Sequence, residues 1–305
     1  MTCLRQKKRY HTISPNIEPE LRIRSGETVT LETLDNVGNR VNSVNDRDQI
    51  RPPLNPLSGP IFVENAEKGD ALEVIIEDVK ILRGYGWTGQ TSDWGFIEMG
   101  SPIWNLFTET IPTIIKICKI SDNKIHFPLM NGKEIILPVK PLVGTIGTAS
   151  EVEVPSNVPG PHGGNMDCLE VRPKNKLYFP IFVTGGLLFL GDVHALQGHG
   201  ELGGAPIEVS TETKLTINLI KDWKISWPRI ESDEYLMTIG SSKPLENTIR
   251  IALTEMISWL KDDYDLDMWD ANLLLTSTAE IECSQITNPL YTAALKCPKR
   301  CLPKS

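Results

Sequence analysis

The feature that most limits the fold of this chain is its punctuation. Its 22 prolines and 23 glycines recur at short intervals through the first two thirds, and short β-branched runs lie between them. Proline removes a backbone donor and glycine loosens the backbone, so neither sustains a long helix. The runs sit at 28–34, 71–82, 113–120, 134–139, 178–183 and 207–219. In 71–82, Leu72, Val74 and Ile76 alternate with Glu73, Ile75 and Glu77, the period of a strand. Pro-Leu-Ser-Gly-Pro at 56–60 and Val-Pro-Gly-Pro at 158–161 read as rigid connections. Many short strands between turn residues predict a mainly β fold, sandwich or barrel-like.

The last third changes character. Leu245, Ile249, Ala252, Leu253, Met256, Ile257 and Leu260 follow helical spacing, with Pro244 at the start and Lys261 in the last turn. A shorter helix is expected over 268–275, with strands near 234–239 and 278–286. The chain is therefore expected to hold a β-rich region over 1–220, carrying the site, and a smaller α+β region over 221–305. The aromatic, glycine-rich segment 85–105, with Trp87, Trp94, Phe96 and Trp104, reads as an excursion packed on the β structure rather than as a lid.

Charge and cysteine usage exclude several functions. The net charge is −8, whereas phosphate binding needs a basic face, so nucleic acid is not an expected partner. The basic tail Lys296, Lys299, Arg300 and Lys304 reads as solvated. No apolar run approaches the ~20 residues of a membrane span, and no apolar stretch follows the basic N-terminus. Six cysteines are scattered over 305 residues, which is no disulfide framework; a cytoplasmic, reducing location is expected. Cys297 and Cys301 read as unrelated tail thiols, and Cys168 as a buried small hydrophobe rather than a nucleophile.

The chemistry concentrates in Gly191-Asp-Val-His-Ala-Leu-Gln-Gly-His-Gly-Glu201. Two of the five histidines fall there, after the apolar run 181–190. A third, His162, opens Pro-His-Gly-Gly-Asn-Met-Asp, which ends at Asp167. Imidazole with carboxylate is the ligand set of a hydrolytic metal site. Asp192 and His194 fall on one side of an extended backbone, and His199 and Glu201 repeat that spacing. Asp167, Asp192, His194 and His199 are the expected ligands, with zinc first among divalent ions, and Glu201 is the spare carboxylate for general-base work. The bland alternative is a polar strand end with satisfied histidines. No P-loop, dinucleotide fingerprint or Gly-x-Ser-x-Gly elbow is present.

Taken together, these motifs resemble the acetamidase/formamidase family. The likeness covers most of the chain. It includes Asn55-Pro-Leu-Ser-Gly-Pro-Ile-Phe-Val-Glu-Asn-Ala-Glu-Lys-Gly-Asp70, residues 163–167 and 185–201, Thr238-Ile-Gly240 before a helix, and Ser284-Gln285 after the late strand. His11 and Glu32-Thr-Leu-Asp35 add to it. The chain departs at His199, where many relatives have Asp, at Asn65 in place of Gly, and in 144–149. The resemblance implies hydrolysis of short linear amides to carboxylate and ammonia, and a homo-oligomer; in the mechanism expected from the residues, Asn165 and Gln197 hydrogen-bond the amide. Two other readings remain open: a non-catalytic β-sandwich binding module with a structural cation, and a hydrolase of another amide or an imide.

Overall fold

The computed structural model describes residues 2–4, 8–91, 95–96 and 111–303. Strand alternation builds its core. Leu72, Val74 and Ile76 are fully buried, while Glu73, Ile75 and Glu77 are more exposed. Their strand, Ala71–Ile81, lies between Thr211–Ile220 and Lys176–Pro180 in a sheet of nine strands among the described residues. That sheet runs from Thr2–Leu4 and Glu27–Thr33 at one edge to Tyr235–Ser242, Tyr291–Pro298 and Glu280–Gln285 at the other.

A second sheet, of ten described strands, runs from the hairpin Lys124–Pro128 and Glu134–Pro138 through Ile114–Ser121, Tyr85–Gln90 and Glu208–Val209 to Leu188–His194 and Leu142–Thr148. One apolar cluster draws Leu31, Leu72 and Leu215 from the first sheet and Ile61, Ile146 and Leu190 from the second. The two sheets therefore pack face to face, as a sandwich does.

The helices close the other face of the first sheet. Helix α1 is Leu245–Tyr264 and α2 is Met268–Thr278. Along Tyr235–Ser242, Met237 and Ile239 enter the inter-sheet core, while Leu236 joins the helix-side cluster with Met256, Trp259 and Leu260. In Tyr291–Pro298, Ala294 faces the sandwich and Leu295 and Cys297 face the helices. A sheet covered on both faces reads as continuously apolar, which is why period 2 is hidden in these strands. Helix α1 buries Thr248, Ala252, Glu255, Met256 and Trp259; Leu245, Ile249 and Leu253 sit at the margin of that face. A Cβ on Gly240 would collide with the Thr248 carbonyl, so glycine lets the helix lie on its strand.

The sheet continues without a break across residue 220: Lys176–Pro180 pairs with Arg229–Glu231, which pairs with Tyr235–Ser242. The α+β region thus shares a sheet with the β region. The run 207–219 is interrupted at Ser210, giving Glu208–Val209 to the second sheet and Thr211–Ile220 to the first. Within 85–105, Tyr85–Gln90 is a strand and Trp87 is buried; Trp94 and Trp104 lie outside the described residues. None of the six cysteines is in a disulfide. Burial pushes the Cys168 thiol up to about 12, so it stays neutral in the core. Among the described residues no helix is long and apolar enough to cross a membrane.

An ion pair fastens α1 to the sheet. The Arg229 Nε donates to Glu255 Oε1 at 2.7 Å, with both side chains buried. The guanidinium also lies 5.1 and 5.0 Å from the Trp223 and Trp259 ring centres. Breaking a buried pair on one side strands the other charge, whereas an apolar replacement of both is far milder. Glu255→Ala is expected to lower unfolding stability by about 3 kcal/mol in urea titration. The double change Arg229→Met with Glu255→Leu is expected to recover most of that loss.

Candidate functional site

Three strand ends bring the acidic groups together. Leu188–His194 carries Asp192 and His194, Glu208 starts its neighbour strand opposite His194, and Gly163–Asn165 delivers Asn165 and Asp167 from the far side of Leu142–Thr148. Asp167, Asp192 and Glu201 all hold left-handed backbone, with φ of 43°, 55° and 48°. Such angles are uncommon for residues with a side chain and mark positions aimed by their surroundings.

Their side chains enclose one imidazole. His194 Nε2 lies 3.4 Å from Asp192 Oδ1, 3.5 Å from Glu208 Oε1 and 4.0 Å from Asp167 Oδ1. Donor atoms of Asp167, Asp192 and His194 lie within 4.8 Å of one another, all buried. On its other side, His194 Nδ1 lies 2.8 Å from Gln197 Oε1. The Gln197 NH2 donates to the carbonyls of Asp167 and Ser284, at 2.6 and 3.2 Å. That fixes the amide so that Oε1 must accept, and Nδ1 of His194 therefore carries a proton. Nε2 is left to face the carboxylates, the arrangement by which a hydrogen bond orients a metal-ligating histidine.

An outer ring of amides and one hydroxyl holds the carboxylates. Asn288 donates to Asp167 Oδ2 at 2.6 Å, and Asn36 to Glu208 Oε1 at 2.9 Å. Asn55 donates to the Thr145 hydroxyl at 2.9 Å, and that hydroxyl donates to Asn165 Oδ1. Asp167 Oδ1, Glu201 Oε2 and Glu208 Oε2 are buried with no amide, hydroxyl or cationic donor among the described residues, while the Asp167 and Glu201 carboxyls lie within hydrogen-bond reach of one another when one is protonated. A Cβ on Gly144 would collide with Asp167 Oδ1, so glycine keeps that oxygen clear.

The electrostatics follow from this crowding. Burial, then the neighbouring Asp192, pushes Asp167 up to about 6. Burial and the Asp167 charge raise Glu201 well above the usual carboxylate range. Burial likewise raises Glu208, although His194 opposes it. Burial alone would depress His194, but Glu208, Asp192 and Asp167 outweigh it and raise the imidazole to about 10. Three buried carboxyl groups face one imidazole and a fourth, Glu201, lies against Asp167, so the pocket is short of positive charge.

A cleft of about 410 Å³ opens beside the cluster, lined in part by Gln197, His199, Glu201, Leu202 and Ala205. Of the four carboxyl residues, Glu201 alone lines it.

The structure brings Asn165, Asp167, Asp192, His194, Gln197 and Glu201 together, and sets His199 apart. His199 is 61% exposed and its Nδ1 lies 3.4 Å from Glu282 Oε1. The spacing argument for His199 assumed an extended backbone through Glu201. Gly200 and Glu201 instead form a left-handed turn, with φ of 83° and 48°, so the i, i+2 relation is lost. Gln197 was expected to hold a substrate, but its amide is committed to His194 and two carbonyls, so it positions the imidazole instead. Glu208, Asn36, Asn55, Thr145, Asn288 and Gly144 were missed as site residues. Glu208 left one usable signal, a carboxylate at the start of an apolar strand.

Comparison with known proteins agrees with this geometry. The acetamidase/formamidase family model matches residues 3–159 and 156–289. A formamidase from Methylophilus methylotrophus is 27% identical over 270 residues, covering 70% of this chain and 64% of that protein. An acetamidase from Mycolicibacterium smegmatis is 26% identical over 269 residues, covering 70% and 65%. The chain thus spans a little under two thirds of these relatives' length. The crystal structure of an acetamidase from Yersinia enterocolitica superposes with a TM-score of 0.91 at 34% identity, covering 98% of this chain and 91% of that one. With the family model matching nearly its whole length, this chain belongs to the acetamidase/formamidase family.

Proposed function

We propose that this protein hydrolyses linear amides to carboxylate and ammonia with the help of one divalent cation, zinc first among the candidates. The observation that carries the reading is a buried Asp167–Asp192–His194 constellation next to a cleft that a further carboxylate, Glu201, lines. Family membership and the names of the relatives support the amide as substrate.

The residues fit a cation on their own chemistry. Asp167 Oδ1 is buried without an amide, hydroxyl or cationic donor, Gly144 leaves the space in front of it open, and Gln197 holds the imidazole with Nε2 facing the acids. A divalent cation bound there would polarise the amide carbonyl and acidify water. Asp167, Asp192 and His194 are its proposed ligands. His199, exposed and paired with Glu282, is not.

Glu201 is the proposed general base. Its carboxyl is buried in the cluster and lines the cleft, where an ionised carboxylate could take a proton from water and give it back. It accepts the proton of the attacking water as the C–O bond forms. It returns that proton to the nitrogen as the C–N bond breaks, so that ammonia leaves rather than an amide anion. The carboxylic acid product then loses its own proton. Asn165, held through Oδ1 by Thr145, is the proposed amide contact from its NH2. A reducing cytoplasmic setting and a homo-oligomer belong to the same reading; the free cysteines support the former.

Purified protein is expected to contain about one divalent ion per chain. Prolonged chelation should abolish ammonia release from short amides, and added zinc should restore it. His194→Ala is expected to lose ion and activity together, read by elemental analysis alongside the assay. Full activity in metal-free protein would sink the metal-assisted reading.

Glu201→Gln is expected to keep the ion content of the parent and lose at least ~10²-fold in kcat, the scale of general acid–base catalysis. A metal-free Glu201→Gln protein would make Glu201 a ligand instead. Stoichiometric ion with no amide turned over by the parent would favour a non-catalytic binding module.

A further inference from the structure

We infer that the cleft beside Glu201 is an acyl pocket for amides whose acyl group is apolar and larger than acetyl, about four to eight carbons by the volume argument below. This rests on the amidase reading and narrows it. The cleft measures about 410 Å³. At a water's share of ~30 Å³ per heavy atom, acetamide displaces about 120 Å³. Most of the space would stay wet beside formamide or acetamide.

The lining is apolar where the acyl group would lie. Ile114, Phe127, Leu202 and Ala205 contribute to the wall. Leu202 directly follows Glu201 and is 57% exposed. Phe96 is 54% exposed, and its backbone N–H donates to the Leu202 carbonyl at 2.9 Å. Leu202 thus offers the cleft a large exposed apolar side chain, and Phe96 is a second exposed apolar residue joined to it through the backbone.

Most polar side chains of the lining bond to the protein, and His199 is the exposed exception. Thr88 donates to the Ala205 carbonyl at 2.6 Å and Gln90 to the Pro112 carbonyl at 3.4 Å. Lys116 donates to the Pro128 carbonyl and lies 5.0 Å from the Phe127 ring centre. Gln197 and His199 have the partners already described. Glu201 Oε2 is the polar atom of the lining that is buried without an amide, hydroxyl or cationic donor. The cleft therefore offers chemistry at one end and hydrophobic contact along the rest. An apolar tail would find contacts along this wall, whereas an anionic tail would depend on Lys116, already bonded to the Pro128 carbonyl, and on the exposed His199.

The test is the metal-loaded full chain assayed for ammonia release from formamide, acetamide, butanamide, hexanamide and the monoamide of succinic acid. Each buried methylene is expected to raise kcat/KM about fourfold, so hexanamide should exceed acetamide by roughly 10²-fold. Ile114→Trp, which fills the cleft, and Leu202→Asp, which charges its mouth, should each lower the hexanamide-to-acetamide ratio at least tenfold. A parental ratio of about 3 or less overturns the acyl pocket and leaves the amidase reading intact, as does preference for the succinic monoamide or an unchanged ratio in both variants. Absence of ammonia from every amide overturns the amidase reading and this inference with it.

Discussion

Burying four carboxyl groups in one cluster, three of them around a single imidazole, is the constraint on which the rest of the molecule depends. Ionised groups out of water cost several kcal/mol each unless paired. Here Asp167, Asp192 and Glu208 share His194, the amides of Asn36 and Asn288 hold Glu208 and Asp167, and Glu201 lies against Asp167. Such crowding is tolerable only if the scaffold cannot relax away from it. The strand ends that carry these groups are hydrogen-bonded into one sheet. The left-handed residues at 167, 192 and 201 are locked by the chain on either side. Rigidity around a strained polar centre is how preorganised sites keep their donors aimed.

The α+β region takes part in this. Gly200 pairs its backbone with Cys283, Ser284 and Ile286, so the turn that carries Glu201 is docked on the late strand. Gln197 reaches the Ser284 carbonyl, and Asn288 reaches Asp167. The helices in turn hold that strand's sheet in place through the Arg229–Glu255 pair and the cluster around Met256 and Trp259. Packing of α1 and geometry at the acids are thus links of one chain of contacts.

Much of this was legible from residue order. Proline and glycine spacing gave the β class, and alternation in 71–82 gave the face that Leu72, Val74 and Ile76 bury. The density of Asp192, His194 and Glu201 within eleven residues pointed to the buried polar cluster that the fold assembles. What failed was local geometry and long-range pairing. His199 was misread because an extended i, i+2 relation does not survive a left-handed turn. Gln197 was misread because an amide that grips a ligand and one that grips a neighbour look identical in sequence. Asn55, Asn36 and Asn288 act on partners 90, 172 and 121 residues away, and no local pattern encodes that. The strand Leu142–Thr148 escaped notice because its glycines depress β-propensity, yet Gly144 is there to clear space for an acid.

The reach of Asn288 to Asp167 has a consequence for how the molecule is made. A ribosome delivers Asn288 about eighty residues after Glu208, a lag of roughly 4–16 s at ~5–20 residues per second. During that interval the nascent chain holds its four acids without the amide that seats Asp167 and without the strand that docks the Glu201 turn. A cation captured then would meet a loose and hydrated set of oxygens, with little to choose among ions. The proposed cation would meet its full geometry only once the late strand has emerged, so any selection among ions would fall to residues made after the carboxylates.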